Sequence, residues 1–236
     1  AKLVKIGDEA IGRLAIKNAA EAKKITDELA GAEYKVVEVV KKEVRRAPAP
    51  PFTTSTLQQE SAKKLGFSAR ETMILAQRLY ETGIITYMRT DSLNIAEGAL
   101  AQAQEVIKNN FGKEYCLDKP RFYQNKSKGA QEAHEAVRPT DLSRLPSALN
   151  LQFSGSQPRR RGIGAPTEAS ELKLYDLIWK RTLACQMQAA VLDQTAVDIS
   201  AGPKYIFRAN GQIIKFDGFI KVYTETKEEG EQDDES

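Results

Sequence analysis

The segment Gly83–Ser92, GIITYMRTDS, places a tyrosine, an arginine and an aspartate at alternate positions 87, 89 and 91. In an extended chain, side chains at i, i+2 and i+4 share a face, so Tyr87, Arg89 and Asp91 would point the same way. A phenol suits a reaction that cuts a phosphodiester and reseals it without losing the bond energy. With a pKa of about 10 a phenol needs activation as a nucleophile, yet it leaves well in the return step. The transition state gathers negative charge, which a preorganised arginine stabilises. The bland alternative is an aromatic with charged neighbours at a surface, and the spacing alone does not separate the two.

The remaining chemistry is sparse. His134 is the one histidine, so a cluster of histidines around a metal is excluded. Arg138 lies four residues on and would share its face if Ala133–Thr140, AHEAVRPT, forms a helical turn ended by Pro139. The His-x-x-x-Arg spacing with an upstream tyrosine departs from the tyrosine recombinases. No P-loop, dinucleotide glycine fingerprint, H-E-x-x-H or nucleophile elbow is present. Cys116 and Cys185 are far apart, which points to neither zinc nor a disulfide framework and fits a reducing cytosol. No apolar run reaches the length of a membrane span and no signal-peptide pattern opens the chain, so no membrane partner is expected. The start at Ala1 rather than methionine suggests a piece of something longer.

The elements that must carry these groups are legible in outline. A strand at Leu3–Ile6, a helix from about Ile16 to Leu29 and a strand at Tyr34–Val44 precede the proline-rich linker RRAPAPPF. A helix Ser55–Leu65 opens with a capping pattern, Ser55-x-x-Gln58, and stops at Gly66. A second capping pattern, Ser68 to Glu71, starts a helix that ends at Gly83. On it Ala69, Thr72, Met73, Ala76, Leu79 and Tyr80 form a buried stripe, and Arg70, Ile74, Gln77 and Glu81 share a neighbouring face. Helix, turn, helix and strand is the skeleton of a helix-turn-helix or winged-helix unit, shared by many small α domains. A helix Ile95–Phe111, capped by Asn94, follows. A Pro-, Gly- and Ser-rich loop over residues 143–167, holding Arg159–Arg161, then leads to a helix Glu168–Ala189. Strands at Thr195–Ile199, Tyr205–Ala209 and Ile213–Tyr223 close the chain, with Asn210-Gly211 as a hairpin turn. Helix-plus-strand elements thus flank a mainly helical middle, so one domain holds another as an insertion.

PPFTTSTLQQE (50–60), AQRLYETGIITYMRTDS (76–92) and QEAHEAVRPT (131–140) closely resemble the signature blocks of bacterial type IA DNA topoisomerases. KLYDLIWKRTLACQM (173–187) resembles the helix that follows in the same family. The resemblance implies that Tyr87 attacks one DNA strand to form a 5′-phosphotyrosyl bond and that Arg89 binds the scissile phosphate. It also implies that Gln77, Glu81, Thr86, Asp91 and His134 line the site or contact DNA, a group to which Arg138 is added from its spacing to His134. The implied fold class is α+β and multi-domain. An arch domain (1–46 and 170–223) is interrupted by a CAP-like helix-turn-helix tyrosine domain (47–169), and an acidic tail spans 224–236. The family's Toprim domain, with its magnesium ligands, is not among these residues, nor are most of the base domain and the zinc ribbons. Mg2+ is therefore expected in the parent enzyme and none in this fragment, which alone should lack turnover. Expected partners are DNA, single-stranded at the cut, and the remaining topoisomerase domains, in a bacterial cytoplasm. Topoisomerase III, reverse gyrase and a non-catalytic winged-helix DNA-binding module remain as alternatives.

Charge bears on the partner. Residues 224–236 carry seven acids and one lysine, a net of −6, so the chain's +3 leaves +9 on residues 1–223. A basic body suits a polyanion, although a solvated surface with a disordered tail accounts for the charge equally well. If the body binds single-stranded DNA, affinity measured by fluorescence anisotropy will fall steeply with salt as phosphate neutralisation releases counterions. Equal affinity at low and moderate salt would count against that partner.

Overall fold

The computed structural model describes residues 1–12, 14–124, 135–149 and 167–224. His134, Arg159–Arg161 and the acidic tail beyond Thr224 lie outside them. The chain is mixed helix and antiparallel sheet and divides into two compact units. One comprises Ala1–Arg46 and Ala190–Phe216; the other takes residues 47–189 and continues from Asp217.

The first unit is built on β-branched runs. Strands β1 (Lys2–Ile6) and β2 (Glu9–Ala10) and helix α1 (Ala19–Leu29) precede β3 (Tyr34–Arg46), where five valines in 13 residues favour extension. β4 (Ala190–Ala201) and β5 (Tyr205–Phe216) complete an antiparallel sheet in the order β2-β1-β5-β4-β3. Helix α1 starts later than the sequence suggests, because the Asn18 side chain accepts the Glu21 N–H and caps it there. Its Glu28 takes hydrogen bonds from the Tyr205 hydroxyl at 2.6 Å and Lys204 at 3.0 Å, which holds that carboxyl below the usual range.

Two expectations about this sheet fail. Asn210-Gly211 is no turn: both residues sit inside β5, opposite Ala196 and Thr195. The hairpin closes instead at Gly202–Lys204, between paired Ala201 and Tyr205, with Gly202 at φ 62°. Pro203 has no N–H to offer a ladder, so the turn falls where pairing is already broken. The last expected strand therefore does not reach Tyr223, since residues Gly218–Lys221 form a 3₁₀ turn.

The second unit holds α2 (Thr54–Leu65), α3 (Ala69–Glu81), α4 (Glu97–Asn110) and α5 (Glu168–Ala184). The α2 cap lies two residues before Ser55: Thr53 and Thr56 cap each other reciprocally, and Gly66 ends the helix in the left-handed region at φ 71°. Ser68 caps α3 as expected. Of the expected stripe on α3, Thr72, Ala76 and Leu79 are buried with Leu75, whereas Ala69 and Tyr80 are exposed. Asn94 does not cap α4; the free Ala96 N–H is taken by Glu135 at 2.7 Å. Helix α5 stops five residues short of Ala189. Past that end, Arg121 donates to the carbonyls of Cys185 at 2.8 Å and Met187 at 3.0 Å, and Met187 bridges to Cys116. A division at 169/170 would place α5 with the strands, but α5 packs on α2, α3 and α4, and the compact units part at 189/190.

Arg181 of α5 is buried in this core, its Nε donating to the Pro50 carbonyl at 2.6 Å and its guanidinium lying 4.9 Å from the Phe52 ring centre. Gly218 meets α5's exit closely: at φ 49°, a Cβ here would lie 2.6 Å from the Gln188 carbonyl oxygen. Gly218→Ala should thus destabilise the protein by about 1–3 kcal/mol, measured by chemical denaturation, because strain and backbone overlap act together. An unchanged midpoint would show that the backbone here yields.

Candidate active site

Helix α3 brings the chain to the Gly83–Ser92 segment, which is not a strand of any ladder. Its one bridge pairs Ile85 with Pro139. Backbone groups flanking Tyr87 are instead held from two sides. Before the tyrosine, Thr140 donates from its amide to the Ile84 carbonyl at 2.9 Å and from its hydroxyl to the Gly83 carbonyl at 2.7 Å. The Thr86 N–H reaches the Arg138 carbonyl at 2.9 Å, while its hydroxyl donates to the Ala136 carbonyl at 2.7 Å and accepts the Arg138 N–H at 3.0 Å. After the tyrosine, the Thr54 hydroxyl donates to the Met88 carbonyl at 2.8 Å and accepts the Thr90 N–H at 2.9 Å. The Thr54 N–H completes the grip on the Thr90 carbonyl at 2.8 Å.

The alternation expected from the spacing survives as burial. Met88, Thr90 and Ser92 are buried, and Tyr87, Arg89 and Asp91 are exposed between them, Tyr87 at 43%. Neither Arg89 nor Asp91 has a hydrogen-bond or ion-pair partner among the described residues. The Tyr87 ring packs edge-on against Tyr80, with ring centres 5.2 Å apart and planes at 65°. Tyr80, expected in the buried stripe, is exposed. It lies at the exposed end of α3, next to Glu81, which accepts a 2.7 Å hydrogen bond from Gln77. Gln77, Tyr80, Glu81 and Tyr87 are thereby connected through the last turn of α3 and the segment that follows it.

Two candidates behave differently from expectation. The stretch 135–140 is extended, with Val137 bridged to Phe52 and Pro139 to Ile85, so the helical turn that would have placed Arg138 on the face of His134 does not form. Proline disfavours helix at the residue before it, here Arg138 itself. The Arg138 guanidinium is turned to the protein: it holds Glu135 through both carboxylate oxygens at 3.0 and 2.8 Å and donates to the Pro139 carbonyl at 2.8 Å. Thr86 likewise spends its hydroxyl on backbone groups rather than presenting it. His134 lies outside the described residues.

Thr54, Glu135 and Tyr80 were missed. The hydroxyl run Thr53–Thr56 marks a helix start in the sequence, but nothing local says that Thr54 reaches residues 34 and 36 positions away. Among the described residues no group of three or more His, Cys, Asp or Glu side chains could hold a metal ion, so none is assigned to one. The arrangement can present a phenol, a guanidinium and a carboxylate from one fixed segment. Arg138→Ala should lower stability by about 1–3 kcal/mol, since the half-buried Glu135 carboxylate loses its paired charge and keeps only the Ala96 N–H. A melting temperature equal to the wild type would remove Arg138 from this bracing role.

A model of the DNA topoisomerase family matches residues 2–235. The chain is 42% identical over 243 residues to DNA topoisomerase 1 of Rickettsia prowazekii, covering 99% of this chain and 30% of that protein. It is 42% identical over 249 residues to DNA topoisomerase 1 of Xylella fastidiosa, covering all of this chain and 29% of the relative. Among solved structures, full-length topoisomerase I from Thermotoga maritima matches with a TM-score of 0.67 at 34% identity, over 88% of this chain and 33% of that one. The chain thus spans about a third or less of the length of these relatives. Matched along nearly its whole length, it belongs to the bacterial type IA DNA topoisomerase family.

Proposed function

We propose that this chain supplies the tyrosine half of a topoisomerase I site that relaxes negatively supercoiled DNA. The Tyr87 oxygen attacks a phosphorus in one strand: the phenol gives up its proton, the phosphotyrosyl bond forms to the 5′ side, the bond from phosphorus to the 3′ oxygen breaks, and that oxygen takes up a proton to leave as a 3′-hydroxyl. After another strand passes through the gap, that hydroxyl attacks the same phosphorus and frees the tyrosine. Bond energy is kept in the phosphotyrosyl ester, so no other energy source is required. Arg89 stabilises the charge gathered on the phosphate, and Asp91, Gln77 and Glu81 line the approach. His134 is retained as a site residue from the resemblance alone. Thr86 and Arg138 serve through the backbone they hold.

The observation that carries this reading is the exposure of Tyr87, with Arg89 and Asp91, on a segment whose backbone is fixed on both flanks. An exposed tyrosine on a loose loop would carry no such weight. The substrate is single-stranded at the cut, and the other partners are the remaining domains of the enzyme. Magnesium for the full cycle would be held by residues outside this chain, where it would neutralise phosphate charge. Among the described residues no helix is long and apolar enough to cross a membrane, and the bacterial cytoplasm is the proposed location.

The test is a chimera in which this chain replaces the corresponding span of the Rickettsia prowazekii relative. With a labelled single-stranded oligonucleotide on a denaturing gel, the chimera forms a covalent adduct and relaxes plasmid, while the isolated chain with magnesium does neither in turnover. Tyr87→Phe eliminates adduct and relaxation and leaves non-covalent binding nearly intact, because only a hydroxyl is lost. Arg89→Ala keeps the nucleophile and slows adduct formation roughly 10²–10³-fold, the scale of one lost charge stabiliser. An adduct persisting in Tyr87→Phe would exclude Tyr87 as the nucleophile. Absence of an adduct from the unmutated chimera would leave a DNA-binding module with a structural tyrosine.

A further inference from the structure

Helix α2 begins with four consecutive hydroxyl residues, Thr53–Thr56, and two of them satisfy each other. The Thr56 N–H meets the Thr53 hydroxyl at 3.3 Å and the Thr53 N–H meets the Thr56 hydroxyl at 2.9 Å. Thr54, between them, is released from capping. Its hydroxyl instead faces the Met88 carbonyl and the Thr90 N–H, the two backbone groups on either side of Arg89.

In a sheet those groups would be met by an N–H and a C=O of the neighbouring strand. Here a single oxygen does both, as a hydroxyl can, having one donor and two acceptor sites. The hydroxyl also lies 3.1 Å from the Thr90 carbonyl, which takes the Thr54 N–H at 2.8 Å, and the shorter 2.8 Å approach to Met88 favours the proton there. Met88 and Thr90 are both buried, so neither backbone group has ready access to water as a substitute. Nothing among the described residues holds the Arg89 side chain. The backbone torsions that Thr54 fixes therefore set where the Arg89 Cα–Cβ bond points, and so the region its guanidinium can reach.

We propose that Thr54 is a positioning residue for the reaction, holding the peptide groups around Arg89 so that the guanidinium faces the scissile phosphate beside Tyr87. This rests on the role given to Arg89 under the proposed function. Thr54 touches no reacting atom; its effect passes through the backbone at residues 88–90.

In the chimera described above, Thr54→Val keeps the shape and deletes the hydrogen-bonding oxygen, and Thr54→Ser restores the oxygen. Single-turnover cleavage of a saturating oligonucleotide should slow roughly 10–100-fold in Thr54→Val, the scale expected for a misplacement of about an ångström. Oligonucleotide affinity should stay close to that of the parent, and Thr54→Ser should recover most of the cleavage rate. Thr54→Ala repeats the deletion with a smaller side chain and serves if the valine variant unfolds. Hydrogen exchange, read by mass spectrometry on peptides spanning Thr90, should accelerate in Val and Ala variants and not in Ser. Cleavage at the parental rate in Thr54→Val overturns the proposal. So does an equal loss in Thr54→Ser, or a loss shared in proportion by binding and thermal stability. If the unmutated chimera makes no adduct, the proposed function fails first, and the hook around Arg89 then stands or falls on the exchange at Thr90.

Discussion

Threonine hydroxyls hold the backbone of the tyrosine segment on both flanks, Thr140 before Tyr87 and Thr54 after it. Buried backbone N–H and C=O groups need partners, and each one left without costs about 1–3 kcal/mol. A strand in a sheet meets that need through its neighbours, at the cost of presenting a regular, paired surface. Among the described residues the tyrosine segment has one bridge, at Ile85, and meets the need with the Thr140 hydroxyl on one flank and the Thr54 hydroxyl on the other. Side-chain closure lets Tyr87, Arg89 and Asp91 face outward from a segment that is neither a sheet edge nor a free loop.

The two jaws of that clamp are themselves tied together. The Phe52 carbonyl accepts the Val137 N–H at 2.8 Å, which links the entry to α2 with the 135–140 stretch that grips Thr86. Phe52 lies under the Arg181 guanidinium, and Arg181 also takes the Pro50 carbonyl. Prolines at 50 and 51 have no N–H to satisfy, so the linker brings acceptors into the core and needs only a donor there. Arg181 is that donor. Its charge is offset by two aromatic faces, Phe52 and Tyr223. Tyr223 in turn donates a hydrogen bond from its hydroxyl to the buried Glu60 at 2.7 Å, and burial, with that bond, pushes the phenol's pKa far up. Helix α5 therefore governs the tyrosine segment without approaching it in sequence.

Local signals in the sequence carried the elements whose ends are capped locally. Ser68 starts α3 and Gly66 ends α2 because the cap and its target lie within a few residues. The alternation across 86–92 was legible for the same reason, since burial follows the nearest-neighbour geometry of an extended chain. The resemblance of whole blocks to one family located the tyrosine, and nearly the full length of the chain matches that family. Where tertiary contacts compete with local preference, the reading failed. Asn210-Gly211 has the strongest turn chemistry in its region, yet continuous pairing with β4 holds it extended.

Arg138 shows the same limit at the site. Its type and spacing marked it for the ligand, but a carboxylate three residues away and the extended backbone around Pro139 turned it inward. Residue types at 87, 89 and 91 were enough to determine which chemistry this chain can offer and on which face. That the segment is rigid, that Tyr80 flanks the phenol and that Thr54 braces Arg89 was decided only by the fold. A hydroxyl has no preferred partner along the chain; it bonds to whichever buried peptide group packing brings within 3 Å or so.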